Sequence, residues 1–201
     1  MTKTHGASGK KCSLPINEEL FKPPDPELNK VLDDLEKQKY QALVGSLLFV
    51  SRMSRPDIAI QVNLLGRRAS NPSQRNWKAA MNTLLYLSMT SSEGIILHKP
   101  QTLNLAVYAD ASYGGEQSRS QSGVLLTLAN QPVGWYSRRQ DIVSQSGTEA
   151  EYIADCEGGK DQACARQLLE ELGMRMEIPL LVTDSEGAYN HSKTVKFSRW
   201  S

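Results

Sequence analysis

Three carboxylates, Asp110, Glu151 and Asp184, stand where the pattern of the chain concentrates chemistry. Asp110 ends the alternating run Leu103-Asn104-Leu105-Ala106-Val107-Tyr108, which reads as a strand. Glu151 falls in the first turn of a long helix predicted over 148–172, and Asp184 ends a further strand over 178–182. Strand ends and helix starts can converge on one edge of a sheet, so acids 41 and 33 residues apart can share a site. Carboxylates held together repel and are expensive to desolvate without a cation. Mg²⁺ suits such a set, being a hard ion held by one or two carboxylates, water and substrate phosphate, with Mn²⁺ as the alternative. A pair of such ions can activate a water and stabilise the leaving oxygen of an in-line phosphodiester cleavage. Each acid also has an ordinary local reading: Asp110 starting a turn, Glu151 favoured near a helix N-terminus, Asp184 capping a helix. Residue types and spacing alone leave both readings open.

The elements that must position these acids follow from the periodicity. Residues 1–37 are polar and broken by Pro15, Pro23, Pro24 and Pro26, which predicts a flexible tail with a short helix near 28–35. Residues 38–93 turn helical. Tyr40, Leu43, Val44, Leu47 and Leu48 mark one face, and Pro56 opens a second helix through Ile58, Val62 and Leu65. Ser73 is the expected N-cap of a third helix, with Trp77, Ala80, Met81, Leu84 and Leu85 as its apolar stripe. From residue 94 the pattern is of strands: a short apolar Ile95-Ile96-Leu97, the run into Asp110, then strands over 122–128 and 133–137 around a turn at Asn130-Gln131-Pro132. The long helix carries the unusual pair Gly158-Gly159 and closes at Gly173, and a last short helix starts near Ser185. Three strands, a helix, a strand and a helix predict a mixed α/β layer.

Composition narrows the class. A 39% hydrophobic and 22% charged chain of 201 residues is that of a globular protein, and no window approaches the roughly 18 apolar residues of a membrane span. The N-terminus lacks the apolar core of a secretory signal, so an intracellular setting is the expectation. Cys12, Cys156 and Cys164 form no C-x-x-C pair and the three histidines are scattered, which speaks against a disulfide framework or a zinc site. Net charge is +1, so nucleic-acid binding is not announced by charge, although Arg119, Arg138 and Arg139 are candidate phosphate contacts near the acids.

The order of short motifs is more specific. Tyr40-Gln41-Ala42-Leu43-Val44-Gly45-Ser46-Leu47-Leu48-Phe49 followed by Ser54-Arg55-Pro56-Asp57-Ile58-Ala59 resembles the Y-x-x-L-V-G-S-L-L-Y…T-R-P-D-I-A signature of copia-type retrotransposon Pol proteins. Ser70-Asn71-Pro72-Ser73, Tyr108-Ala109-Asp110-Ala111-Ser112-Tyr113, Arg119-Ser120-Gln121-Ser122-Gly123, Ser146-Gly147-Thr148-Glu149-Ala150-Glu151-Tyr152-Ile153-Ala154 and Asp184-Ser185-Glu186-Gly187-Ala188 continue the series in order and spacing. The resemblance implies a helical connection segment over 38–93 and an RNase H-like domain, a mixed sheet with flanking helices, over 94–201. It also implies Mg²⁺-dependent cleavage of the RNA strand of an RNA–DNA hybrid, and the polymerase part of Pol as a second partner. A retroelement particle joins cytoplasm and nucleus as an implied setting.

By the same resemblance the metal-binding acids are Asp110, Glu151 and Asp184; Glu149 competes for the helical role, and the E-Y-I-A context selects Glu151. The polymerase motif Y-x-D-D does not occur upstream of Tyr40, so this chain is not expected to synthesise DNA. The family continues into a K-H-I-D segment whose aspartate is a fourth site acid, whereas here the sequence reaches Lys196–Ser201. The expectation is a domain truncated at its C-terminus, with an inactive binding module as the alternative to the nuclease.

Overall fold

The computed structural model of the protein describes residues 30–99, 102–114, 118–174 and 178–193. These divide into two compact units between Gly94 and Ile95.

The first unit contains α1 (Asp34–Met53), a single 3₁₀ turn at Pro56–Ile58, α2 (Ala59–Gly66) and α3 (Gln74–Met89). Helix α1 starts earlier than the polar composition suggested. Asp33 and Glu36 form a capping box, each side chain accepting from the other's backbone N–H, so positions 34–37 are helix and not tail. Residues 1–29 of the predicted tail lie outside the described residues. Tyr40, Val44 and Leu47 are buried on α1, and the Tyr40 hydroxyl donates to the Leu65 carbonyl at 2.8 Å.

The stripe expected on α3 is rotated. Met81, Leu84 and Leu85 are exposed, while Asn76, Ala79, Ala80, Thr83 and Tyr86 face inward. The buried polar groups have partners that offset their desolvation. Asn76 and Ser73 close a capping box, Thr83 donates to the Ala79 carbonyl at 2.9 Å, and the Tyr86 hydroxyl donates to Asp57 at 2.8 Å.

The second unit holds β1 (Leu105–Ser112), β2 (Gln121–Leu128), β3 (Gln131–Arg139), α4 (Gly147–Glu171), β4 (Leu180–Val182) and α5 (Glu186–Lys193). Among the described residues these strands form one sheet in the order β3-β2-β1-β4, with β4 parallel to β1 and the other pairs antiparallel. This is the mixed α/β architecture expected. Ile95–Leu97 forms no strand. Next to it, the Gln131 side-chain amide donates to the His98 carbonyl and accepts from the His98 N–H. The hairpin turn lies one residue earlier than predicted, at Ala129 and Asn130. Both have positive φ (54° and 60°), the two-residue turn whose twist matches paired strands, so β3 starts at Gln131. Pro132 is accommodated at an irregularity in the β2–β3 register.

Helix α4 runs unbroken through Gly158-Gly159. At Gly158 the helix packs closely on β1: a Cβ there would lie 2.8 Å from Val107 Cγ1, beside a core of Val107, Ala109, Val124 and Ala154. Gly158→Ala is therefore expected to destabilise this unit by about 1–2 kcal/mol, overpacking outweighing the gain of about 1 kcal/mol in helix propensity. Urea unfolding checks it, and an unchanged or raised midpoint would refute the packing argument. Among the described residues no helix is long and apolar enough to cross a membrane.

Candidate metal centre

Sheet register brings the two aspartates level. Tyr108 on β1 pairs with Val182 on the parallel β4, and Asp110 and Asp184 each lie two residues further along. Because side chains alternate with period two, both carboxylates leave on the same side of neighbouring chains. Asp110 is inside β1, not at its end, since the strand continues to Ser112 opposite Gln121.

The third acid comes from α4. Ser146 caps the helix, its Oγ accepting from the Glu149 N–H at 3.1 Å. The Glu149 carboxylate turns back to accept from the Gln145 N–H at 2.6 Å, so this residue is occupied in fixing the helix start. Glu151 points to the strands, where its Oε2 accepts from the Ala111 N–H, the amide next to Asp110, at 3.0 Å. One carboxylate oxygen from each of Asp110, Glu151 and Asp184 then lies within 4.8 Å of the others.

The loop leading into α4 is set by a buried polar cluster. Gln140, fully buried, donates to the Ala150 carbonyl at 2.8 Å and to Ser122 Oγ at 3.1 Å, while Ser120 and Ser144 share a hydrogen bond of 2.6 Å. This ties the residue before Glu151 to β2. The segment Arg119–Gly123, read only as part of a motif, thus supplies two positioning hydroxyls. Gln140→Leu is expected to cost about 2–3 kcal/mol, because it removes two buried hydrogen bonds, to the Ala150 carbonyl and to Ser122 Oγ. Thermal unfolding tests this, and a loss below about 0.5 kcal/mol would remove the positioning role.

The electrostatics are those of a site short of positive charge. Burial, then the charge of Asp110, pushes the Glu151 carboxyl up to about 7; Asp184 and Asp155 add to this, and the Ala111 amide opposes it. Among the described residues none of the three acids pairs with Lys or Arg. The all-oxygen donor set, one oxygen from each acid within 4.8 Å of the others, would suit a hard divalent cation. Asp110 and Asp184 are exposed, which leaves room for water and a substrate phosphate.

Of the candidate phosphate contacts, Arg138 is engaged with Glu157 at 3.1 Å and stacks over Tyr136, whereas Arg119 and Arg139 are exposed. One acid escaped the sequence reading. Asp155 is 9% exposed, one helical turn beyond Glu151, and the i, i+4 spacing was the signal available.

No protein-family model matches the sequence. It is 33% identical over 162 residues to the retrovirus-related Pol polyprotein from transposon TNT 1-94 of Nicotiana tabacum, covering 80% of this chain and 12% of that polyprotein. Its homologues are thus retrovirus-related Pol polyproteins from copia-type transposons, matched over about four fifths of this chain. The secreted RxLR effector protein 161 of Plasmopara viticola is also similar, 37% identical over 117 residues, which is 57% of this chain and 82% of that protein. Among solved structures, the foamy viral protease-reverse transcriptase in complex with dsDNA aligns with a TM-score of 0.48 at 12% identity, over 92% of this chain and 36% of that one. The chain spans about 12% of the length of the TNT 1-94 polyprotein.

Proposed function

We propose that the second unit is a ribonuclease H module that hydrolyses the RNA strand of RNA–DNA hybrids during reverse transcription. The observation that carries this is the convergence of Asp110, Glu151 and Asp184 from β1, α4 and the end of β4 to within 4.8 Å. These residues would hold Mg²⁺, or Mn²⁺, which supplies Lewis acidity and an activated water when bound. Asp110 and Asp184 present the two exposed carboxylates toward the scissile phosphate. Glu151, fixed by the Ala111 amide, would set the inner wall of the site. Preference for a hybrid would come from groove shape and contacts to the RNA 2′-hydroxyls, with sequence playing little part. Exposed Arg119 and Arg139 would bind phosphate in a salt-sensitive manner. The polymerase part of Pol is the protein partner this reading implies.

The test is cleavage of an end-labelled RNA–DNA hybrid in Mg²⁺ by the whole chain, with Asp110→Asn as control. Asn keeps the shape and removes the charge, so cleavage by the wild type alone is the expected result. Equal cleavage by both would sink the site assignment. Silence from both, with folded protein and retained hybrid binding, would replace the nuclease by a binding module.

A further inference from the structure

The link that presents Asp184 is held from the helix side by a contact with no room for a side chain. Asp184 lies in Thr183-Asp184-Ser185, between β4 and α5. Local hydrogen bonds tie this link to the helix. Thr183 Oγ1 accepts from the Ser185 N–H at 3.3 Å, and Ser185 Oγ caps α5 by accepting from the Ala188 N–H at 3.1 Å. Strand β4 is three residues long, all exposed, so the sheet gives the link a short anchor. The seat of α5 therefore decides where Asp184 stands.

Helix α5 is seated on the first turn of α4 at Gly187. A Cβ there would lie 2.6 Å from Thr148 Cγ2, about 1 Å short of the roughly 3.5–4.0 Å at which carbon atoms rest. The neighbouring Ala188 is fully buried. Thr148 precedes Glu151 by three residues on α4, so the contact joins the helix carrying Glu151 to the one that follows Asp184. Gly187 does not adopt a positive φ, and alanine is the better helix former by about 1 kcal/mol. What the position requires is space. Rotating Thr148 gives little relief, because a β-branched side chain swings one heavy atom in as it takes the other out.

We propose that Gly187 is a positioning residue for the cation site: its missing side chain sets the spacing of α5 on α4, and that spacing sets Asp184 against Glu151. This rests on the three-acid site proposed above. A methyl group at position 187 lifts α5 from α4 and carries the Asp184 carboxylate with it. Removing the Thr148 branch undoes this, since a Cβ at 187 lies 3.5 Å from Thr148 Cβ, an ordinary contact. Losing a group that holds a metal's ligands in place typically weakens binding about 10–100-fold.

The experiment is titration of the whole chain with Mn²⁺, followed by calorimetry and by the loss of the free-ion electron paramagnetic resonance signal. It is run at a temperature where circular dichroism shows every protein folded, and each metal-free thermal midpoint is recorded. Wild type is compared with Gly187→Ala, Thr148→Ala, the double variant of these two, Gly158→Ala and Asp110→Asn. The expected result is binding by the wild type, about tenfold weaker binding by Gly187→Ala, and recovery in the double variant to the affinity of Thr148→Ala. Gly158→Ala should lower the midpoint yet keep the wild-type affinity, because it overpacks α4 against β1 about two turns beyond Glu151. Asp110→Asn should lose binding. If Gly187→Ala binds Mn²⁺ as tightly as the wild type while Asp110→Asn does not, the inference fails and the three-acid site stands. Equal weakening by Gly158→Ala, or no recovery in the double variant, also overturns it, since the loss would then not follow the spacing of α5 on α4. No binding by the wild type overturns both.

Discussion

On the proposed ribonuclease H reading, replacing Glu151 by glutamine should abolish hybrid cleavage and, in the metal-free protein above pH 7, raise the melting temperature. The two effects share a cause. The Glu151 carboxyl is pushed up to about 7 by burial and then by Asp110, with Asp184 and Asp155 contributing, from an ordinary value of 4.5. An acid whose folded value exceeds its unfolded one gives stability that is whole below the unfolded value and lost as pH rises through the folded one. For Glu151 the window runs from about 4.5 to about 7. At pH 8 the metal-free wild type therefore holds a carboxylate among carboxylates, and Glu151→Gln does not. Near pH 4.5 the two proteins should melt together.

On the same reading Mg²⁺ should invert the order, stabilising the folded wild type more at pH 8 than at pH 6, where Glu151 is more often protonated. The glutamine variant should show little stabilisation at either pH. Loss of activity should be at least about a thousandfold, the scale on which removing one group that stabilises developing charge is felt. Differential scanning calorimetry at pH 4.5, 6 and 8, with and without Mg²⁺, reads the stability terms. A wild-type midpoint indifferent both to pH across this window and to Mg²⁺ would end the argument for a cation site at Glu151.

The arrangement behind this prediction was legible in the sequence to different depths. Alternation in Leu103–Tyr108 and helical spacing after Thr148 located the elements carrying Asp110 and Glu151, because burial on one face leaves a period that survives without coordinates. The choice of Glu151 over Glu149 needed the family motif, and the structure gives it a mechanical reason: Glu149 is used at the Gln145 amide. Asp155 was invisible because an acid on a helix reads as solvent-facing until the sheet that buries it is known. The α3 stripe failed for the converse reason. Asn76, Thr83 and Tyr86 are polar by type, yet a capping box, a backbone acceptor and Asp57 satisfy them, so a hydropathy period points to the wrong face. Ile95–Leu97 shows the limit of short apolar runs, which periodicity alone does not assign to a strand.

The family motif Ser54-Arg55-Pro56-Asp57 carries the largest expected stability effect, in the first unit. Arg55 Nε and Nη2 donate to the two Asp57 oxygens at 2.9 and 2.7 Å, and the same guanidinium reaches the Thr90 carbonyl at 3.0 Å and its hydroxyl at 2.7 Å. Tyr86 completes the set by donating to Asp57 and lying 5.3 Å beneath the guanidinium. The turn after α1 is thereby clamped to the C-terminal end of α3. The Arg55 side chain is 7% exposed, so deleting Asp57 leaves a buried cation with its principal partner gone. Breaking a buried pair on one side costs about 3–5 kcal/mol, and Asp57 is 28% exposed, which reduces the expected loss for Asp57→Ala to about 2–4 kcal/mol. For a unit of this size the midpoint should fall by about 10–20 °C. The exposed pair Arg166–Glu170, at 54% and 50%, is the internal contrast: Glu170→Ala should change stability by no more than about 0.5 kcal/mol. The pH dependence has the opposite sign to that of Glu151. Burial alone would raise the Asp57 carboxyl, but the hydrogen bonds from Arg55 and Tyr86 and the Arg55 charge hold it below its ordinary 3.8. Its contribution is whole above that value and lost as pH falls through the folded one. Asp57→Ala should therefore lose its effect in strong acid, and hydrogen exchange of the α3 amides at neutral pH should report the loosened clamp. Unchanged protection of those amides would show that the motif is not what joins the turn to α3.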